Sequence, residues 1–258
     1  MSFFFNGTEG INLGARYSTG PLNLVISYPF AISCWFFPTD LTAGAQRDIV
    51  HLEDSVNGQS YWIDQLGTSL RVVTWNGSTP VNASTGTLTV NRWHHAFARF
   101  NSNTSRVIQL NGAAGTTSTT NSAQTSQLIN GLTIGQAENK TRLFQGYIAH
   151  VAIYNGAMQN PDAISLARGM SPLAVRPANL IAYFPMCDPG EQRNIAFPKS
   201  IAYKPLPIIN TGTRYSNWNP PIKTPPNASR ARRLPVEVIS TGNTPVLYHQ
   251  RQQQGMAS

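Results

Sequence analysis

Apolar and polar positions alternate with a period of two in a series of short runs along the first two-thirds of the chain. Residues 30–38, 49–52, 61–64, 70–75, 94–100 and 107–110 are each about the length of a strand. Turn-forming residues bound them: Ser55-Val56-Asn57-Gly58, Asn76-Gly77, Asn101-Ser102-Asn103-Thr104-Ser105 and Asn111-Gly112. Asn-Gly favours the positive φ angles of tight hairpin turns. Gly86-Thr87-Leu88-Thr89-Val90 predicts one more strand. Short runs of this kind, at roughly 8–12-residue spacing, imply an antiparallel sandwich rather than alternating strands and helices.

One helix is expected after residue 159. Asn160 can cap it, Pro161 suits its first turn, Ile164, Leu166 and Ala167 can face the sandwich, and Gly169 ends it. Residues 113–127 are almost entirely Ala, Gly, Ser, Thr, Asn and Gln, which fits either a loop or a Thr-rich edge strand. From residue 188 onward ten prolines crowd the chain. Proline lacks the ladder donor, so a regular interior strand is excluded there. The expected organisation is a sandwich over residues 1–187 and an extended, Pro-rich basic arm over 188–258.

Several runs resemble, in family order, the laminin-G-like domains of the concanavalin-A-like lectin/glucanase superfamily. Phe4-Phe5-Asn6-Gly7 resembles the opening strand, with Asn6 where Asp is usual. Phe30-Ala31-Ile32-Ser33-Cys34-Trp35 resembles the F-S-I-S-A-W strand. Trp93-His94-His95 with Leu110-Asn111-Gly112 resembles the central hairpin, and Leu132-Thr133-Ile134-Gly135 the L-x-I-G strand. Phe144-Gln145-Gly146-Tyr147-Ile148-Ala149-His150-Val151 resembles F-x-G-x-I-D-E-V, and Leu180-Ile181-Ala182-Tyr183-Phe184-Pro185 resembles L-V-A-Y-W-P, placed after the helix as if the order were rotated. The resemblance implies an all-β antiparallel β-sandwich, a jelly roll of concanavalin A-like type, with one short helix.

Charge alters this picture only at the end of the chain. Of the 258 residues 12% are charged, about half the usual fraction. Residues 1–200 carry 12 basic and 10 acidic side chains (12 − 10 = +2), and residues 201–258 carry 7 and 1 (7 − 1 = +6). The basic character therefore belongs to the arm. Its densest patch is Arg230, Arg232 and Arg233, and Trp218 is an aromatic that no core pattern explains. These four are the candidate partner-binding residues. No aromatic-interleaved platform accompanies the arginines, so nucleic acid is not the expected partner. The N-terminus lacks a basic segment followed by a long apolar one, and no run is long enough to span a membrane, so neither a signal peptide nor membrane insertion is expected. Cys34 and Cys187 read as buried free thiols.

The chemistry of sites is sparse. Glucanases of the resembled superfamily carry an E-x-D-x-x-E strand, whose carboxylates flank the glycosidic bond as acid and nucleophile. This chain has no such strand. Asp48, Glu53, Asp54 and Asp64 are its one acidic cluster, and Glu53 and Asp54 are adjacent, hence on opposite strand faces. No catalytic residue is expected. The calcium loops of laminin-G-like domains use acids at two positions that are Asn6 and Ala149-His150 here. Asp40, Asp48 and Asp54 remain as alternative ligands, but the preferred reading of them is ordinary solvated loop residues, and neither a metal nor another cofactor is expected. His94 and His95 face opposite ways on a strand, one expected in the core with a hydrogen bond and the other toward solvent or the second sheet. Trp62 and Trp75 are the candidate glycan-stacking residues.

Such a domain without catalytic carboxylates and with a Pro-rich arm resembles structural proteins of tailed bacteriophages. The resemblance implies a capsid decoration protein, or a tail- or fibre-associated one, on the virion surface. It would be assembled in the host cytoplasm, bind the major capsid protein or other virion proteins, and form a homo-oligomer on the particle. The alternative is a lectin-like module binding host-surface glycans.

Overall fold

The computed structural model describes residues 2–7, 11–12, 24–54, 56–124, 128–137, 139, 141–186, 214–216, 220–221, 239–241 and 244–246. The chain divides into two units, residues 1–223 and 224–258.

In the first unit the strands run, in chain order, β1 (Ser2–Asn6), β2 (Ile11–Asn12), β3 (Leu24–Val25), β4 (Phe30–Pro38), β5 (Gln46–Asp54) and β6 (Gln59–Leu66). Next come β7 (Ser69–Trp75), β8 (Pro80–Thr85), β9 (His94–Ser102), β10 (Ser105–Leu110), β11 (Thr116–Ser118), β12 (Leu128–Ile129), β13 (Gly131–Ile134) and β14 (Gln145–Asn155). The helix α1 (Asn160–Ala167), β15 (Leu180–Phe184) and β16 (Arg214–Ser216) complete it. In the second unit β17 (Ile239–Thr241) pairs with β18 (Thr244–Val246).

Two antiparallel sheets make the sandwich. The eight-stranded sheet has the order β11-β10-β9-β4-β14-β1-β16, with β15 also paired to β14, and the six-stranded sheet has the order β2-β13-β5-β6-β7-β8. The expected all-β sandwich with one short helix is therefore observed. Its core is a single cluster that includes Phe5, Phe30, Ile32, Phe36, Phe100 and Ile148 of the first sheet and Ile49, Leu52, Tyr61, Ile63, Val72 and Leu132 of the second. The period-two pattern explains this. Each strand turns alternate apolar side chains inward, where burial of each contributes about 1.5–3 kcal/mol.

Two glycines of the superfamily pattern are steric necessities. A Cβ at Gly146 would lie 1.9 Å from the Phe37 carbonyl oxygen of the neighbouring strand. One at Gly135 would lie 2.5 Å from the Phe5 ring.

Some local expectations are corrected. Residues 86–90 are not a strand; the strand is β8, whose first residue is Pro80. Gly86 has φ +69°, which turns the chain out of the ladder, and Leu88 is left to plug the core from a loop. Proline is tolerated at the start of an edge strand because no partner needs its missing N–H. Residues 116–118 of the low-complexity segment do form the edge strand β11. The helix N-cap is Gln159 rather than Asn160, because the Asn160 Oδ1 accepts from Arg99 Nη2 at 2.8 Å while the Gln159 N–H donates to Asp162 Oδ2 at 2.8 Å. Of its expected inward residues Leu166 is buried, together with Ala163.

Candidate functional site

The two sheets differ in what covers their outer faces. On the eight-stranded sheet Ala31, Phe97, Ala152 and Tyr154 lie under Met158, Ala163, Leu166 and Val175, a second apolar cluster supplied by α1 and its flanking loops. The outer face of the six-stranded sheet instead carries polar and aromatic side chains.

The ladder lays them out in three rows across β5, β6 and β7. The first holds Asp48, Asp64 and Arg71. The second holds His51, Trp62 and Val73, extended by Asn82 on β8. The third holds Glu53, Ser60 and Trp75, extended by Pro80. Asp48 and His51 are three residues apart, which on a regular strand puts them on opposite faces. A register shift between Asp48 and Val50 restores them to the same face. The bulge also sends both Ile49 and Val50 into the core.

Asp64 is fully buried and holds four hydrogen bonds. Arg71 Nε donates to its Oδ1 at 2.7 Å and Arg71 Nη2 to its Oδ2 at 2.6 Å, a bidentate pair. Gln46 Nε2 and Trp62 Nε1 donate to Oδ2 at 2.7 and 2.9 Å. Asp48, also fully buried, accepts on Oδ2 from His51 Nδ1 at 2.8 Å and pairs there with Arg142 Nη2 at 3.1 Å. Burial pushes the Asp48 carboxyl above its ordinary range. The His51 hydrogen bond and the charges of His51 and Arg142 oppose that shift, and the charge of Asp64 adds to it. Asp48 Oδ1 and His51 Nε2 are buried without a hydrogen-bond partner.

Above this layer lies a cleft of about 410 Å³ lined by Gln46, His51, Trp62, Arg71, Trp75, Asn82, Asn139 and Arg142, among others. That volume suits a small ligand. The Trp62 ring stacks on His51 with centroids 5.1 Å apart and planes 4° apart, and the Arg142 guanidinium sits 4.8 Å from its centroid. Trp62 is thus a buried floor. Trp75, half-buried in the third row, stands as a wall. The structure brings both tryptophans to one cleft. The other expected partner-binding residues, Trp218, Arg230, Arg232 and Arg233, lie outside the described residues, as does Cys187. Cys34 is a buried free thiol.

Asp40 and Asp54 have structural roles. Asp40 accepts from the Thr42 N–H at 2.8 Å and from its hydroxyl at 2.6 Å, and pairs with Arg47. Asp54 accepts from the N–H groups of Val56 and Asn57 and from the Asn57 side chain, closing the β5–β6 turn. Among the described residues no three His, Cys, Asp or Glu side chains are grouped to hold a metal ion.

Both histidines of the β9 pair are buried, and each has partners. His95 meets Ser33 Oγ at 2.9 Å beside Trp35, and His94 bonds Thr89 and Asn111 beside Phe36. The expected division, one in the core and one facing solvent or the second sheet, becomes two buried sites on opposite faces. Burial pushes the His95 imidazole down to about 3.

The sequence did not single out Arg71, Arg142, His51, Gln46, Asn82 or Asn139. Asp64 and Arg71 become readable as a cross-strand pair once the β6–β7 register is known. Arg142 arrives from a loop far along the chain, and no local signal marks it.

Solved structures of similar fold share little sequence with this chain. A sialidase CBM40 of Ruminococcus gnavus, bound to α2,3 sialyllactose, matches with TM-score 0.51 at 10% identity, over 64% of this chain and 96% of that one. Domain 4 of AbnA, a GH43 extracellular arabinanase of Geobacillus stearothermophilus, in complex with arabinotriose, gives 0.49 at 19% identity, over 64% and 76%. Domains LG4-5 of the mouse laminin alpha1 chain give 0.45 at 12%, over 59% of this chain and 40% of that one. No curated protein matches the sequence. The model of the Concanavalin A-like lectin/glucanases superfamily matches residues 12–163, more than half of the chain. With that match, the two-sheet sandwich and the glycines at its close contacts, the chain belongs to the Concanavalin A-like lectin/glucanases superfamily.

Proposed function

We propose that this protein is a non-catalytic carbohydrate-binding module whose site is the cleft on the outer face of the six-stranded sheet. One observation carries the reading. The sheet's outer face concentrates an aromatic wall, Trp75, and amide, imidazole and guanidinium groups around a cavity of sugar size. An aromatic face packs against the C–H groups of a pyranose or furanose ring. Asn82, Asn139 and Gln46 can both donate and accept, which matches hydroxyl groups. The sandwich of similar fold that is bound to sialyllactose lends support at the level of the fold.

The two acids in the first row work against hydrolysis. Asp64 is saturated by four hydrogen bonds and Asp48 is sealed under Arg142, so neither is placed to protonate a leaving group or attack an anomeric carbon.

The test is a glycan array followed by titration calorimetry with the full chain and with Trp75→Ala. Array binding that Trp75→Ala weakens by about tenfold or more, with unchanged circular dichroism, supports the reading. Binding untouched by Trp75→Ala would place the sugar elsewhere. A role as a virion decoration subunit rests on sequence resemblance. Its test is co-purification with particles, and loss of that association on deletion of residues 218–258.

A further inference from the structure

We infer that the cleft selects neutral saccharides and discriminates against anionic ones; this rests on the carbohydrate reading above. The lining by itself suggests the opposite, since its charged side chains are Arg71 and Arg142. The layer beneath reverses that. Each guanidinium is held by a fully buried carboxylate, Arg71 by Asp64 and Arg142 by Asp48. Two positive and two negative charges cancel, and Glu53, two rows along the same face of β5, offsets any charge on His51. Among the described residues β8 and β13 add no charged group on this face. The local sum is therefore not positive.

Geometry also opposes an acidic ligand. Arg71 spends Nε and Nη2 on Asp64, so engaging a ligand carboxylate through the same fork would strip a buried acid of its counter-charge. Breaking a buried pair is the costly outcome, because the remaining charge stays desolvated. A ligand carboxylate would also approach Asp48 and Asp64 through a low-dielectric layer, where repulsion is poorly screened.

An unpartnered atom of the lining points the same way. His51 gives its Nδ1–H to Asp48, so the uncharged ring presents Nε2 as an acceptor at the cleft. It lacks a donor. A sugar hydroxyl supplies one, and a carboxylate does not. Hydroxyls also accept from the N–H groups of Arg71 Nη1 and of Asn82 and Asn139, so a neutral sugar can match both kinds of group.

The experiment is calorimetric titration of the full chain with matched neutral and acidic oligosaccharides: lactose with sialyllactose, galacto-oligosaccharides with oligogalacturonates. The expected result is affinity for at least one neutral member about tenfold or more above its acidic counterpart, and little changed by added salt. Asp64→Asn frees the Arg71 fork and should narrow that ratio. Circular dichroism checks its fold, and Asp48→Asn serves the same purpose at Arg142. Preference for the acidic members, or their salt-sensitive binding at equal affinity, would overturn the selectivity while leaving the carbohydrate reading intact. Binding to neither class would overturn both.

Discussion

The outer faces of the two sheets are built from similar strands and have opposite fates. On the eight-stranded sheet Phe97, Ala152 and Tyr154 are sealed beneath Met158, Ala163 and Leu166. On the six-stranded sheet no such layer is found among the described residues, and Arg71, Trp75 and Asn82 border a cleft. Both faces bury charged or polar groups. The covered one buries a neutral histidine, whereas the open one buries carboxylates that survive because arginines neutralise them. A face that is to stay open in water must be wet and charged at its surface, and the charges it buries must be paired. This contrast separates a packing surface from a binding surface.

Four measurements would break or sharpen the contrast. The largest effect is expected on the covered face. Phe97→Ala removes a fully buried ring from between sheet and helix and should cost about 3–5 kcal/mol in denaturant unfolding. A loss below about 1 kcal/mol would mean that the helix does not seal this face.

Next comes the pair beneath the cleft. Arg71→Met strands the Asp64 carboxylate and should cost about 3 kcal/mol, discounted somewhat because the arginine is 15% exposed. The double variant Arg71→Met/Asp64→Asn should recover part of that loss. A double variant no more stable than Arg71→Met would show that the unpaired Asp64 carboxylate is not what destabilises the single variant.

The third effect is that of pH on His95, which lies on the same face of β9 as Phe97. Its folded pKa of about 3 lies below the ordinary value of 6.5. Between those two pH values the unfolded chain binds a proton that the folded chain refuses. Stability is therefore full above about pH 6.5 and falls as pH drops through the window, by about 1.4 kcal/mol per unit. Unfolding curves at several pH values test this, with His95→Gln as the control that should reduce the slope; His150, which burial also pushes down to about 3, keeps its own share. An unchanged slope in that variant would assign the acid sensitivity elsewhere.

The smallest stability effect belongs to Trp75→Ala, expected within about 1 kcal/mol, because the side chain is half-buried at an open wall. Its effect on glycan affinity should be the larger one. A destabilisation of several kcal/mol would make Trp75 a packing residue like Phe97.

The sequence by itself determined the sandwich. Period-two alternation and Asn-Gly turns are local signals, and the superfamily runs report strands whose inward side chains meet regardless of exact register. It also put Trp62 and Trp75 forward, because large aromatics on a polar strand are conspicuous. It misplaced the strand at 86–90, where Gly86 breaks the ladder and Pro80 starts an edge strand that propensity argues against. The chemistry of the cleft was decided by tertiary structure alone. Asp48 and His51 share a face only because β5 bulges between them, Asp64 meets Arg71 only through the β6–β7 register, and Arg142 is delivered by a loop. A strand's face is written in its sequence, but which strands lie side by side, and with what offset, is set by the packing of the whole core. A site assembled across three strands and a loop is fixed only once that packing exists.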